Sequence, residues 1–114
     1  ISSSFGWRSR DNHKGIDIVA DKGTAIYAAA AGTVTVSQYG YGGGYGNYII
    51  ISHGNGVQTL YGHCSELCVS QGQYVSQGQL IAKVGSTGIS TGNHLHLEIR
   101  VNGIAQDPQN YLYQ

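Results

Sequence analysis

The sequence predicts an all-β protein with mainly antiparallel strands. Short runs rich in Val, Ile, Thr and Tyr recur along the 114 residues, and most are bounded by turns of Gly, Asn, Asp or Ser. No window of about a dozen residues carries an apolar helical stripe that Gly does not interrupt. The chain holds 18 Gly and 9 Tyr beside a single Pro, which is typical of strands joined by turns. Many short strands at close spacing indicate a sandwich or a barrel.

Seven strands are predicted, over residues 15–19, 25–29, 32–37, 47–52, 57–62, 79–84 and 94–101. The segment His53-Gly-Asn-Gly lies between two of these runs and predicts a hairpin, in which His53 hydrogen-bonds to backbone. The Gly- and Tyr-rich segment Tyr39–Asn47 predicts a surface loop whose tyrosines offer contact area to a ligand. Residues 107–112 predict a single helical turn or a closing loop.

Length and charge restrict the kind of protein this is. The length suits one domain, which we predict to span residues 1–114. Six basic and six acidic residues give a net charge of zero, which argues against nucleic acid as a partner. No apolar run approaches the roughly 20 residues of a membrane span, so no membrane insertion is predicted. No signal peptide opens the chain, which predicts a mature domain or a piece excised from a longer secreted protein.

Two short motifs hold three of the five histidines. In His13-Lys-Gly-Ile-Asp17, a turn leads into a strand, and both polar side chains can converge there on one point. In His94-Leu-His96-Leu-Glu98, side chains alternate along a strand, so the two histidines and the glutamate share one face. The intervening leucines are predicted to point into the core.

These polar residues predict a metal site. Neutral imidazole is the commonest metal ligand in proteins, and two His with one carboxylate around an open position are typical of catalytic zinc. His63 follows Thr59-Leu-Tyr-Gly and is predicted at a strand end, as a fourth ligand, an unbound base, an oxyanion donor or a surface residue. Cys64 and Cys68 lack the partners of a sulfur-based zinc site, and a disulfide and two buried thiols both stay open.

Three ordered segments resemble a known family. His13-Lys-Gly-Ile-Asp17, Leu60-Tyr-Gly-His63 and the glycine-rich stretch 85–98, which ends in His-Leu-His-Leu-Glu, resemble the lysostaphin-type (LytM-like) zinc endopeptidases. Those enzymes cut peptide bonds in bacterial peptidoglycan. The similarity extends from Phe5-Gly-Trp-Arg8 to the segment 107–112. It implies an antiparallel β-sheet core with an open, loop-walled groove and one Zn²⁺ per chain. It further implies a monomer that acts on peptidoglycan peptides outside the cytoplasm, as a secreted, cell-wall or periplasmic domain.

The resemblance also implies roles for single residues. The implied metal ligands are His13, Asp17 and His96. The implied catalytic residues, which stay off the metal and act on the substrate, are His63 and His94. The tyrosines that would form one wall of the groove are Tyr39, Tyr41 and Tyr45. Glu98 is expected to orient a ligand histidine, with a role as general base as the competing interpretation.

Two other functions remain to be weighed against an enzyme. The first is a non-catalytic peptidoglycan-binding or activator module of the same fold. Because the full set of expected ligands is present, this function is disfavoured. The second is a structural zinc domain, which would use four protein ligands and unfold on chelation.

Overall fold

The computed structural model confirms an antiparallel β-fold. It describes residues 8–9, 16–40, 42–86 and 92–106, with side chains over 18–40, 43–86 and 92–104. The strands are β1 (Arg8–Ser9), β2 (Ile16–Val19), β3 (Ala25–Tyr27), β4 (Gly32–Gln38), β5 (Asn47–Gly54), β6 (Val57–Leu67), β7 (Tyr74–Val75), β8 (Leu80–Val84), β9 (His94–Val101) and β10 (Ile104–Gln106). One 3₁₀ turn, Gly42–Gly44, is the only helical element in these ranges. Across the same ranges, no helix has the length and apolar character needed to cross a membrane.

All seven predicted strands are present. The three that were not predicted, β1, β7 and β10, have only two or three residues each, too few to show an alternating pattern. The predicted hairpin joins β5 to β6 through Asn55 and Gly56, whose φ angles of 54° and 78° are those of a tight turn with two left-handed residues. The predicted helical turn over 107–112 lies outside the described residues.

The strand order places β9 near the middle of the sheet. The main path runs β1-β2-β9-β6-β5-β4-β7, while β8 pairs with β3 and β6, and β10 pairs with β9. β9 has β2 alongside residues 94–97 on one side and β6 alongside residues 96–101 on the other. A side chain on this strand is held by backbone ladders on both sides, which favours precise placement.

Buried apolar side chains from several strands form one core cluster. It contains Ile18, Ile26, Val34, Ile49, Ile51, Tyr61, Val75, Ile81, Val84, Leu95 and Leu97, among others. His53 stays outside this cluster and hydrogen-bonds to backbone, as predicted. Its Nδ1 lies 2.8 Å from the carbonyl oxygen of Ala31, and its Nε2 lies 2.8 Å from Oγ1 of Thr59. Because a carbonyl only accepts, Nδ1 carries the hydrogen in the first bond.

Candidate functional site

The polar face of β9 is the starting point of the candidate site. As predicted, Leu95 and Leu97 belong to the apolar core, whereas His96 and Glu98 meet on the other face, with Nε2 of His96 2.9 Å from Oε2 of Glu98. This face is enclosed: Glu98 has no exposed surface, and His94 is only 8% exposed. A carboxylate buried to this extent needs compensating partners.

The neighbouring strand β6 brings His63 to the same place. Gly62 pairs with His96 in the ladder between β6 and β9. The prediction that His63 sits at a strand end is wrong, because β6 continues to Leu67. Instead, β6 changes its neighbour here, from β9 up to Gly62 to β8 beyond it. His63 takes a left-handed φ of 61°, and its N–H donates to the carbonyl of Tyr45 at 2.7 Å. Such backbone strain in a residue other than glycine is typical of functional sites.

Three imidazole rings lie together at this point. The ring centroid of His63 is 4.8 Å from that of His94 and 5.9 Å from that of His96. Nδ1 of His94 is 2.9 Å from the carbonyl oxygen of Gly92. A carbonyl only accepts, so Nδ1 is protonated and neutral His94 carries its lone pair on Nε2. The structure thus brings both predicted catalytic histidines to one predicted metal ligand.

Glu98 is the centre of a charged network beneath the histidines. Its Oε2 accepts from the Tyr45 hydroxyl at 2.6 Å as well as from His96, and its Oε1 accepts from Nε and Nη2 of Arg100 at 2.9 and 2.8 Å. Burial acts to raise the pKa of Glu98, but the hydrogen bonds from His96, Tyr45 and Arg100 outweigh it, so this pKa lies below its ordinary value. The carboxylate is therefore ionised and only accepts, which places the hydrogen of His96 on Nε2.

Arg100 is a member of this network that the sequence motifs do not indicate. It lies two residues beyond Glu98 on the same strand, so strand alternation puts both on one face. The alternation that grouped His94, His96 and Glu98 could have included it. Its guanidinium supplies the positive charge that a buried carboxylate needs.

The Gly- and Tyr-rich loop contacts the site through Tyr45. Burial, and then the hydrogen bond to Glu98, raise the pKa of Tyr45 to about 12. The ring of Tyr39 is largely exposed, and its hydroxyl lies 3.1 Å from the backbone nitrogen of Leu67. Tyr41 lies outside the described residues. The role of these tyrosines as a groove wall stays a prediction.

The predicted metal ligands are described only in part. His13 lies outside the described residues, and Asp17 is described for its backbone alone. In the ladder between β2 and β9, Asp17 is directly opposite His96. Among the side chains that the structure describes, no group of three His, Cys, Asp or Glu residues has metal-binding geometry. The donor chemistry nevertheless fits Zn²⁺, because Glu98 holds Nε2 of His96, an arrangement typical of zinc-ligating histidine.

The two cysteines stay outside this site. Cys64 is fully buried in the core, Cys68 is exposed, and the two are not joined by a disulfide. Burial, with a smaller contribution from Cys68, raises the pKa of Cys64 to about 12. In the part of the chain that the structure describes, the two cysteines form neither a disulfide nor a sulfur-based zinc site.

An antiparallel β-domain with these histidine motifs defines a peptidase domain of the lysostaphin type. The chain belongs to peptidase family M23, whose sequence model matches residues 11–108.

Two relatives show the range of the family. The chain is 47% identical over 114 residues to the DD-carboxypeptidase/endopeptidase Mpg of Neisseria meningitidis, covering 95% of this chain and 26% of that protein. It is 42% identical over 118 residues to the murein hydrolase activator NlpD of Salmonella dublin, covering 100% of this chain and 29% of the relative. The chain thus spans only about a quarter of the length of these relatives.

Solved structures share the fold. The catalytic domain of the antimicrobial peptidase lysostaphin from Staphylococcus simulans superposes with a TM-score of 0.82 at 34% identity, over 90% of this chain and 80% of that one. A zinc-containing peptidase from Vibrio cholerae superposes with a TM-score of 0.77 at 36% identity, over 82% of this chain and 28% of the other.

Proposed function

We propose that this domain is a zinc-dependent endopeptidase that hydrolyses peptide bonds in bacterial peptidoglycan, outside the cytoplasm. The observation that carries the proposal is the buried cluster of His63, His94 and His96, with His96 held by an ionised Glu98. Three imidazoles in one enclosed place, with one ring fixed by a carboxylate, suit metal-assisted hydrolysis. The zinc-containing peptidase of the same fold supports the choice of metal.

In this proposal, His13, Asp17 and His96 hold one Zn²⁺. The register that places Asp17 opposite His96 supports a shared site for these two. Since Nε2 of His96 bonds to Glu98, the nitrogen assigned to the metal is Nδ1. Bound Zn²⁺ would supply a Lewis acid that polarises the scissile carbonyl and lowers the pKa of a water molecule.

The two remaining histidines carry the proton transfers. His94, with Nδ1 held by the Gly92 carbonyl, presents Nε2 as the acceptor of a proton from the attacking water. His63 lies beside it and, when protonated, donates to the carbonyl oxygen as negative charge develops there. Both oxygens of Glu98 already accept hydrogen bonds, which supports an orienting role over that of a general base. A general base at Glu98 would be shown if Glu98→Gln abolished turnover with zinc retained while His63→Ala stayed active.

The bond cut is proposed to join two D-amino acids. The relative with 47% identity is named a DD-carboxypeptidase/endopeptidase, whereas the lysostaphin domain is 34% identical. We therefore expect cleavage at the D-Ala cross-link of the stem peptides and not in glycine bridges. Mass spectrometry of fragments released from directly cross-linked and glycine-bridged walls distinguishes the two.

The second candidate is an activator without hydrolytic activity, which the similarity to the murein hydrolase activator supports. The deciding experiment incubates the purified domain with peptidoglycan and measures zinc content and newly released amino groups. An enzyme binds one zinc per chain, releases amino groups and loses that activity in His94→Ala. An activator releases none alone, yet raises the activity of a separate peptidoglycan hydrolase. That second outcome would overturn the proposal.

A further inference from the structure

We propose that Tyr45 is a positioning residue that fixes the metal-binding orientation of His96 and ties the Gly- and Tyr-rich loop to the histidine cluster. This inference rests on the proposed function, because it treats His96 as a zinc ligand. It assigns Tyr45 a role different from the substrate contact that the sequence predicts. Three separate parts of the residue make three separate contacts with the site.

The phenolic hydroxyl makes the first contact. It donates to Oε2 of Glu98 at 2.6 Å, the same oxygen that accepts from Nε2 of His96 at 2.9 Å. Arg100 donates a hydrogen bond to the other carboxylate oxygen, Oε1. The carboxylate is therefore held from both ends, and the Tyr45 hydroxyl is the group that aligns the end facing the ligand histidine. A short hydrogen bond to an ionised acceptor is of the strong kind.

The aromatic ring makes the second contact. It stacks on the His96 imidazole, with centroids 5.6 Å apart and an interplanar angle of 28°. The ring restricts the plane of the imidazole, and Glu98 restricts its rotation through Nε2. Together these contacts leave His96 one orientation, which is what a metal ligand needs.

The backbone makes the third contact. The carbonyl of Tyr45 accepts the N–H of His63 at 2.7 Å, at the residue whose φ is 61°. Tyr45 thus supports the strained backbone of one proposed catalytic residue with its main chain and the proposed metal ligand with its side chain. His63 and His96 therefore both depend on the position of this end of the loop.

The loop that carries Tyr45 is itself anchored at its base. Asn47 accepts the N–H of Gly40 at 2.9 Å through Oδ1 and donates to the carbonyl of Cys64 at 3.0 Å through Nδ2. This side chain links the two ends of the loop to β6, one residue beyond His63. A change in the loop that moves Tyr45 must therefore move the supports of the histidine cluster.

The test compares Tyr45→Phe with Tyr48→Phe in the zinc-loaded and metal-free protein. Tyr45→Phe keeps the ring and removes only the hydroxyl. Tyr48 is the matched control, because its ring packs 5.6 Å from that of Tyr45. We expect Tyr45→Phe to weaken zinc binding about tenfold in chelator competition, and to lower kcat about tenfold with KM within about twofold. Tyr48→Phe should leave all three within about twofold of wild type.

A double-mutant cycle still tests the proposal if either single variant loses stability. In the Glu98→Gln background, Tyr45→Phe should weaken zinc binding by less than about twofold further, because its hydroxyl acts through the carboxylate. Independent, additive losses would overturn the proposal. A raised KM with unchanged zinc affinity and kcat would also overturn it, since Tyr45 would then be a substrate contact.

The outcomes separate this inference from the proposed function. A wild-type domain that binds zinc and cleaves peptidoglycan, with Tyr45→Phe indistinguishable from it, removes the positioning role alone. A wild-type domain that binds no zinc removes both.

Discussion

Replacing Glu98 by Gln changes one oxygen to an NH₂ group and removes the negative charge at the centre of the site. The side chain is fully buried and accepts from Tyr45, His96 and Arg100. The glutamine oxygen can still accept from Arg100 in place of Oε1. Its NH₂ group would then face Nε2 of His96, which is a donor in the wild type. Two hydrogen-bond donors would then face each other, so one of them must lose its hydrogen or move away.

The loss of stability follows from the broken ion pair. Removing one partner of a buried pair costs about 3–5 kcal/mol. The Arg100 side chain keeps 27% of its surface exposed and can be hydrated. We therefore expect about 3 kcal/mol, the lower end of that range. For a domain of this size, about 4 °C per kcal/mol gives a fall in Tm of about 12 °C.

A second effect falls on metal binding. To accept from the glutamine NH₂, Nε2 of His96 must lose its hydrogen, which moves to Nδ1, the nitrogen assigned to the metal. An amide in place of a carboxylate selects the wrong histidine tautomer in the same way in the serine-protease triad. We expect zinc affinity to fall about 10–100-fold, the usual cost of losing such a partner.

The assay pairs urea unfolding of the metal-free protein with chelator competition for zinc. Glu66→Gln is the matched control, because Glu66 pairs with Lys83 at 3.9 Å on the surface, with side chains 59% and 40% exposed. That control should stay within about 0.5 kcal/mol of wild type with unchanged zinc affinity. The reasoning fails if Glu98→Gln is no more destabilising than Glu66→Gln, or if it binds zinc as tightly as wild type.

Three further predictions concern backbone strain and protonation. Because the φ of His63 is 61°, His63→Gly should be more stable than His63→Ala by about 1 kcal/mol in urea unfolding, and equal stability would show that the backbone is unstrained. The pKa of Tyr45 is raised from 10.0 to about 12, so the folded chain keeps this proton longer than the unfolded chain. Its contribution to stability should be complete below about pH 10 and lost as the pH rises through about 12, and tyrosinate absorbance should show one fewer late-titrating tyrosine in Tyr45→Phe. Because burial raises the pKa of Cys64 to about 12, iodoacetamide at neutral pH should label Cys68 alone in the folded protein, and a second label by intact mass would contradict this.

The fold was largely predictable because its signals are local. Strand alternation placed Leu95 and Leu97 in the core and His96 and Glu98 on the opposite face, and turn residues marked the hairpin at Asn55. The short strands β1 and β7 were not predictable, since two residues show no period. Their formation depends on pairing with β2 and β4, which is a property of the assembled sheet.

The sequence indicated which histidines form the site, but not the contacts that hold them in place. The motifs selected the histidines, yet nothing local indicates that β6 exchanges β9 for β8 at His63, or that the residue takes a left-handed φ. Nor can a spacing of 53 residues show that the Tyr45 hydroxyl meets Glu98. Long-range contacts of this kind arise only when the sheet brings separate segments together.

The buried network bears on the choice between an enzyme and an activator. Both kinds of protein occur among relatives of similar identity, so the fold does not separate them. A buried ion pair such as Glu98–Arg100 adds little stability over apolar side chains of the same volume, so a domain that only binds a partner gains nothing obvious from keeping it. The carboxylate is nevertheless directed at Nε2 of His96 and aligned by Tyr45. An arrangement that is costly for stability and specific for one histidine is expected where that histidine must hold a metal in a fixed orientation. This supports the hydrolytic function over the activator.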